Sequence, residues 1–159
     1  MQKLGNSRGQ ALVEFAVTII ACLALMFGVI EISRIMLCYT TVANAARIGA
    51  RYAITNSTVP SATVNSIGVT AIQTSVRTVV KNFAAAGTVT LSDSNIGVDF
   101  FLPDGTSPPA CTSTSVSCAG TTPGNQVRVT VTYPYVPLLT YYSLGTINLS
   151  STSQGVITW

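Results

Sequence analysis

Apolar positions dominate the first third of the chain and fit one long helix. Residues 11–30 form an apolar run broken only by Glu14, and a helix of about 20 residues spans the hydrocarbon core of a bilayer. Between residues 31 and 54 there is no proline, and apolar residues recur at helical spacing at Ile32, Ile35, Met36, Tyr39, Val42, Ala46, Ala50 and Ala53. We predict one helix with a membrane-spanning half, residues 10–30, and an amphipathic half, residues 31–54.

A second helix is predicted over residues 61–85, after the loop-forming sequence 55–60. Its apolar stripe consists of Val64, Gly68, Ile72, Val76, Val79, Val80 and Phe83. Arg77 and Lys81 lie near its C-terminal end, where they complement the helix dipole. Gly87 is a typical residue for ending the helix.

Strand patterns follow in the last part of the chain. Val127, Val129, Val131 and Tyr133 alternate with polar residues, which predicts a half-buried strand. Shorter β-prone runs occur at 88–91, 98–102, 146–149 and 155–159, with the last two forming a strand interrupted around 150–153. Residues 103–125 are rich in Thr, Ser, Pro and Gly and predict a long surface loop. The fold class is therefore α+β: a long N-terminal helix, a second helix and a small antiparallel sheet, with residues 55–159 forming an exported domain.

Composition supports a membrane-anchored chain. Its 159 residues are 48% hydrophobic and only 8% charged, whereas about 25% charged residues is typical of soluble proteins. Lys3 and Arg8 lie in a basic leader, residues 1–9, and predict a cytoplasmic N-terminus with the C-terminal part exported. There is no dense basic patch, so no nucleic-acid partner is expected.

The supply of catalytic side chains is poor. The sequence has no histidine, which removes the commonest general base and the commonest metal ligand. Its five acidic residues are Glu14, Glu31, Asp93, Asp99 and Asp104. We therefore expect no enzyme, no metal site and no cofactor; a hydrolase, the alternative from another class, would need a nucleophile–base pair that the sequence does not show.

The four cysteines differ in whether they can form a disulfide. Cys111 and Cys118 bracket a short polar loop on the exported side, where a disulfide is plausible and would add roughly 2–3 kcal/mol in the chain-entropy model. Cys22 and Cys38 would lie about 24 Å apart along one helix, because each residue adds about 1.5 Å, so they cannot pair within one chain.

The N-terminal segment has the pattern of a processing signal. Arg8 and Gly9 precede the sequence QALVEF, residues 10–15, and then an apolar helix; this resembles the type IV pilin signal. The resemblance implies that a membrane-embedded prepilin peptidase cleaves after Gly9, so that the mature chain starts at Gln10. It also implies that Glu14 and Phe15 act in assembly, with the Glu14 carboxylate pairing with the Gln10 amine of a neighbouring subunit. The alternative is a glutamate at the headgroup level without a specific partner.

A second pattern narrows the family. Glu31-x-x-Arg34 is followed by the sequence AARIGARYA, residues 45–53, which resembles the TadE family of pseudopilins of the tight-adherence (Tad/Flp) pilus. The matching positions are Glu31, Arg34, Ala46, Arg47, Gly49 and Arg51, and residues 127–139 are loosely similar to the family's strand segment. TadF and short TadG-like relatives remain alternatives.

This resemblance implies a structural role. The protein would be a minor pilin or pseudopilin, first held in the bacterial inner membrane by a single span and later part of a pilus assembly. Its partners would be the prepilin peptidase, and other pilin subunits or Tad assembly proteins bound through the N-terminal helix.

Several motif residues allow two interpretations. Glu31 and Arg34 share a helix face, as either an exposed pair of little energetic weight or an intersubunit contact. The small residues Ala45, Gly49 and Ala53 allow close backbone approach, either by the protein's own sheet or by another subunit. Arg47 and Arg51 are expected to be solvated or hydrogen-bonded to the exported domain.

Three competing interpretations concern the apolar segment. Residues 19–22, IIAC, resemble a lipobox in which Cys22 would be lipidated, but Glu14 interrupts the apolar core and the run continues past Cys22. A secretory signal peptide removed near the end of the segment is another interpretation, but the segment lacks a clear small-residue cleavage site. An unprocessed, membrane-tethered binding module would retain the residues before Gln10.

Overall fold

The computed structural model describes residues 7–56, 66–106, 123–137 and 145–158, and it confirms the α+β fold class. The chain divides into two compact units, Met1–Met36 and Leu37–Trp159, called here the N-terminal and C-terminal units. The elements are helices α1 (Ser7–Asn56) and α2 (Ser66–Ala86), a short 3-10 turn (Asp93–Asn95), and strands β1 (Ile96–Phe101), β2 (Gln126–Tyr135) and β3 (Ile147–Val156). Helix α1 contributes to both units.

The antiparallel sheet has the order β1-β2-β3, with β2 in the centre. Val127, Val129 and Val131 on β2 are fully buried, which confirms the predicted half-buried strand. Pro134 is tolerated in this strand because the pairing with β1 ends at Val131, opposite Ile96. Beyond that point β2 pairs only with β3 among the described strands. Proline has no N–H to donate, and it is tolerated where that group would not bond to a neighbouring strand.

Strand β3 is continuous, so the predicted interruption around residues 150–153 is wrong. Ser150 and Thr152 pair directly with Thr132 and Thr130 of β2. Their hydroxyl oxygens also lie 3.4 Å and 3.2 Å from those of the paired threonines. The serine-rich sequence forms a strand because its side chains bond across the sheet rather than to the local backbone.

The core of the C-terminal unit lies between the sheet and the two helices. Helix α2 buries one residue in every four, namely Ile72, Val76, Val80 and Ala84. The predicted stripe is correct for Ile72, Val76 and Val80 but wrong at Phe83, which is 36% exposed. Phe83 precedes the buried Ala84 by one residue and is therefore rotated about 100° from it around the helix. Val64 and the side chain at 68 lie outside the described residues.

Three glycines allow other elements to approach closely. A Cβ at Gly49 on α1 would lie 2.6 Å from Val80 Cγ2 and 3.1 Å from Val129 Cγ1. A Cβ at Gly87 would lie 2.5 Å from Thr41 Cγ2, and one at Gly155 would collide with the Ile54 side chain. The absence of a side chain at these positions therefore permits the packing of both helices and the sheet.

These contacts also fix the directions of the elements. Ile54 of α1 contacts Gly155, which pairs with Val127, whereas Gly49, earlier on α1, contacts Val129, so β2 runs opposite to α1. Gly49 also contacts Val80, and Thr41 contacts Gly87, so α2 runs opposite to α1 as well. The C-terminal ends of α2 and β2 therefore lie at the Leu37 end of the C-terminal unit.

Helix α2 ends in a Schellman motif, and the strand predicted over 88–91 is wrong for that reason. The Val89 N–H donates to the Ala84 carbonyl at 2.9 Å, and the Thr88 N–H donates to the Ala85 carbonyl at 3.1 Å. This is the bonding pattern of the motif, with Thr88 as its left-handed residue at φ 65°. Gly87 lies next to the helix end as predicted, but its role is to admit Thr41.

Replacing Thr88 with glycine is expected to stabilise the C-terminal unit by roughly 1 kcal/mol. A β-branched residue with positive φ is strained, and the relief exceeds the entropic disadvantage of glycine in the unfolded chain. Thermal unfolding of the detergent-solubilised protein, followed by circular dichroism, measures the change. Thr90→Gly is the control, because this exposed neighbour has no positive φ. A Thr88→Gly variant no more stable than Thr90→Gly would contradict the strain.

Candidate assembly surface

The N-terminal half of α1 exposes apolar side chains on all sides. Leu12 is 70% exposed and Leu25 74% exposed. The same holds for Val13, Phe15, Val17, Ile19, Ile20, Leu23, Met26, Phe27, Val29 and Ile30. A helix that is apolar on every side belongs in lipid or among other helices.

Length and composition make this helix a candidate membrane span. The helical stretch Gly9–Asn56 contains a window with mean hydropathy 2.5, and none of that window is buried within the chain. The finding is consistent with the predicted membrane anchor.

Glu14 is the one charged residue within the apolar run. It is exposed, and its backbone carbonyl accepts a 2.8 Å hydrogen bond from Thr18 Oγ1. Within the part of the chain whose side chains are described, its carboxylate has no hydrogen-bonding or ion-pair partner. Gly9 and Gln10, also exposed, lie in the helical turn that precedes it.

Glu31 and Arg34 form an ion pair within the helix. Glu31 Oε2 and Arg34 Nη1 are 3.7 Å apart, and the side chains are 15% and 42% exposed, respectively. The Glu31 side chain is therefore more buried than it would be in a fully exposed ion pair. At this distance, with Arg34 partly in solvent, the pair contributes little to stability.

The small residues of the family motif pack inside the protein. Ala45, Ala46, Ala50 and Ala53 are buried, and Gly49 lies against Val80 and Val129. Of the two interpretations that the sequence left open, packing against the protein's own core is the one observed.

The two arginines of the motif point away from that core. Arg47 is exposed, and its Nη1 donates to Asn44 Oδ1 over 3.4 Å. Arg51 is also exposed. Both belong to the outer face of α1, as expected for solvated side chains.

Side chains of α2 donate hydrogen bonds to backbone carbonyls of the edge strand β1. The sequence does not predict these contacts. Gln73 Nε2 donates to the Val98 carbonyl at 3.0 Å, and Arg77 Nε donates to the Ile96 carbonyl at 3.3 Å. Arg77 was assigned only a helix-dipole role. An edge strand presents carbonyls that need donors, but no sequence pattern indicates which side chain supplies them.

Lys81 forms a second link, to the turn before β1. Its Nζ lies 2.8 Å from Asp93 Oδ1. This hydrogen bond, with the positive charges of Lys81 and Arg77, lowers the pKa of the Asp93 carboxyl below its usual value. The role predicted for Lys81 was again limited to the helix dipole.

No disulfide is present among the described residues. Cys111 and Cys118 lie outside the described residues, so their pairing stays a prediction. Cys22 is free and exposed, and Cys38 is free and half-buried against the core. Among the side chains that the structure describes, no group of three His, Cys, Asp or Glu residues could hold a metal ion.

Comparison with known proteins identifies the N-terminal segment. Residues 9–51 match the family model described as TadE-like protein. No curated protein and no solved structure matches the chain. The matched segment begins at Gly9, contains Glu14, Glu31 and Arg34, and ends at Arg51. It includes most of the residues on which the sequence-based recognition rested, but not Arg8, residues 52–53 or the loosely similar segment 127–139. The match agrees with the sequence-based recognition: residues 9–51 are similar to the TadE-like family.

Proposed function

We propose that this protein is a minor pilin or pseudopilin that acts in the assembly of a Tad/Flp-type pilus. The observation that carries the proposal is Glu14, a carboxylate without a described partner in an exposed, apolar helix of TadE-like sequence. In this proposal residues 1–9 are a leader, residues 10–30 span the bacterial inner membrane, and the C-terminal unit is exported. The role is structural rather than enzymatic.

The energetics of Glu14 support a partner in another subunit. A carboxylate at the centre of a bilayer is unfavourable by roughly 2.5–3.5 kcal/mol on insertion scales. This figure is an upper bound for Glu14, which lies near the N-terminal end of the proposed span. Cleavage after Gly9 would create an α-amine at Gln10, and this amine on a neighbouring chain would offset the desolvation of both groups. A shift in axial register would leave both charges unpaired, so the pair would also set the stagger between subunits.

The two halves of α1 support a division between folding and assembly. The second half buries its small residues against the sheet and α2, whereas the first half has no described covering of its apolar side chains. Helices in membranes associate through van der Waals packing of their side chains, and uncovered side chains are available for such packing. The N-terminal half is therefore the surface that we assign to other pilin subunits or Tad assembly proteins.

Processing after Gly9 is tested by producing the full chain together with a prepilin peptidase. We expect N-terminal sequencing and intact mass to give a chain that starts at Gln10. Gly9→Val should block cleavage because a branched side chain would not fit a peptidase site shaped for glycine. Gly5→Val, within the same leader, is the matched control and should be cleaved normally.

The same measurement separates the competing functions. A chain that keeps its leader beside an active peptidase would contradict the proposal and indicate a plain membrane-tethered module. Lipidation at Cys22 would instead indicate a lipoprotein. Cleavage of Gly9→Val at the normal position would contradict the assigned site.

A further inference from the structure

The exposed large apolar side chains of the C-terminal unit concentrate at one end. Its described residues expose six such side chains: Leu37, Tyr39, Phe83, Val136, Ile147 and Val156. Four of them, Leu37, Tyr39, Val136 and Ile147, belong to the end where α1 enters the unit, which we call the apolar end. Phe83 lies between the two ends, and Val156 belongs to the opposite end. Because scattered exposed apolar residues are normal on protein surfaces, the clustering is the informative feature.

The strand and helix directions place the four side chains of the apolar end together. Phe83 is not one of them, because it lies on α2 between Val80, which contacts Gly49, and Gly87, which contacts Thr41. Strand β2 runs toward the Leu37 end, and its last residue, Tyr135, pairs with Ile147. Val136 and Ile147 therefore stand at the same end as Leu37 and Tyr39.

Val156 marks the other end of the unit by the same argument. It pairs with Gln126 at the start of β2. The adjacent Gly155 contacts Ile54, near the C-terminus of α1. Val156 is 47% exposed and Val136 is 59% exposed, so the two valines form a matched pair at opposite ends.

The apolar end must lie near the membrane surface when the chain is anchored. Leu37 follows Ile30, the last residue of the apolar run, by seven positions. Seven residues span at most about 25 Å even when fully extended. Chain connectivity alone therefore keeps the Leu37 end close to the headgroups, while Val156 lies at the far end of the unit.

The chemistry of this end suits a lipid interface. The sequence from 129 to 159, which includes Val136 and Ile147, has no charged residue. Tyrosine and leucine are favoured where protein meets the membrane interface. The segment 129–159 therefore presents no charge that anionic headgroups would repel or attract.

We infer that the apolar end rests in the headgroup region of the bilayer that holds the N-terminal unit. The apolar contact would orient the exported unit on the membrane before assembly and keep the four side chains out of water. This inference requires a membrane anchor but neither cleavage after Gly9 nor pilus assembly. Its failure can therefore be distinguished from failure of the proposed function.

Tryptophan fluorescence of the full chain in phosphatidylcholine vesicles tests the contact. In a Trp159→Phe background, Val136→Trp reports on the apolar end and Val156→Trp on the opposite end. With brominated lipids, we expect the quenching of the first to exceed that of the second at least about twofold, together with a blue-shifted emission. Added salt should not change the difference, because the contact is apolar.

Two results would overturn the inference. Equal quenching of the two tryptophans would show that the apolar end does not reach lipid. A blue-shifted Val136→Trp emission that brominated lipid does not quench would show that protein, such as a second copy of the chain, covers this end. Ile147→Trp repeats the test at a second site, and circular dichroism verifies that each variant is folded.

Discussion

Replacing Glu14 with glutamine should leave the protein in the membrane but abolish its incorporation into a pilus assembly. The substitution keeps the size of the side chain and removes the charge that we propose to pair with the Gln10 amine of a neighbour. Loss of the carboxylate should ease membrane insertion, since an uncharged residue is less costly in hydrocarbon. Membrane fractionation measures insertion, and recovery of the protein in sheared pili or crosslinked Tad complexes measures assembly. Glu14→Ala is expected to behave in the same way.

The matched control for this result is Glu31→Gln. Glu31 is a carboxylate on the same helix, but its partner, Arg34, is within the same chain at 3.7 Å. We expect this variant to assemble. Normal assembly of Glu14→Gln would refute the register hypothesis, and a failure of membrane insertion would show that Glu14 acts in anchoring instead.

Replacing Gly49 with valine should unfold or strongly destabilise the C-terminal unit. Even the first added carbon would lie 2.6 Å from Val80 Cγ2 and 3.1 Å from Val129 Cγ1, with Val76 Cγ1 at 3.5 Å. Short valine side chains cannot swing away, so the helix must separate from the sheet and from α2. Overpacking of this kind costs about 3 kcal/mol, a large part of a typical domain stability of roughly 5–15 kcal/mol. Thermal unfolding in detergent and resistance to limited proteolysis measure the loss.

Gly28→Val provides the control on the same helix. A Cβ at Gly28 would meet nothing within 4 Å in the described structure, so the C-terminal unit should unfold as in the parent protein. If the two valine variants were equally stable, the close packing at Gly49 would be disproved.

The sequence predicts the helices and the central strand because their signals are periodic and local. The apolar run and the proline-free stretch after it led to a helix over residues 10–54, and α1 spans Ser7–Asn56. Alternation of valines identified β2. In both cases one face or one segment is apolar over many residues, so neighbouring positions reinforce the same interpretation.

Errors arise where a tertiary contact determines the role of a residue. The sequence predicts that Gly87 ends α2 through its backbone conformation. In the structure Gly87 instead makes space for Thr41, and the residue with the left-handed conformation is Thr88. Ser150 and Thr152 were interpreted as strand-breaking, but hydroxyls of the facing strand lie close to theirs. No local pattern reports a partner that is far away in sequence.

The candidate site was partly predictable for a similar reason. Gly9, Gln10 and Glu14 form a contiguous motif, and the family match includes them. The small residues from Ala45 to Ala53 allowed two packing partners, because spacing shows that a close approach is possible but not which surface makes it. Only the positions of Val80 and Val129 resolve that choice.

The contrast between the two halves of α1 has an evolutionary consequence. Where no described part of the chain covers a side chain, as at Leu12 or Leu25, one large apolar residue can replace another without disturbing the fold. Where Gly49 faces Val80, even a methyl group is too large. The first half should therefore drift in sequence while keeping its hydropathy, and the second half should conserve side-chain volume. Divergence of shape in the first half would allow related proteins to evolve separate partners while retaining the same fold of the C-terminal unit.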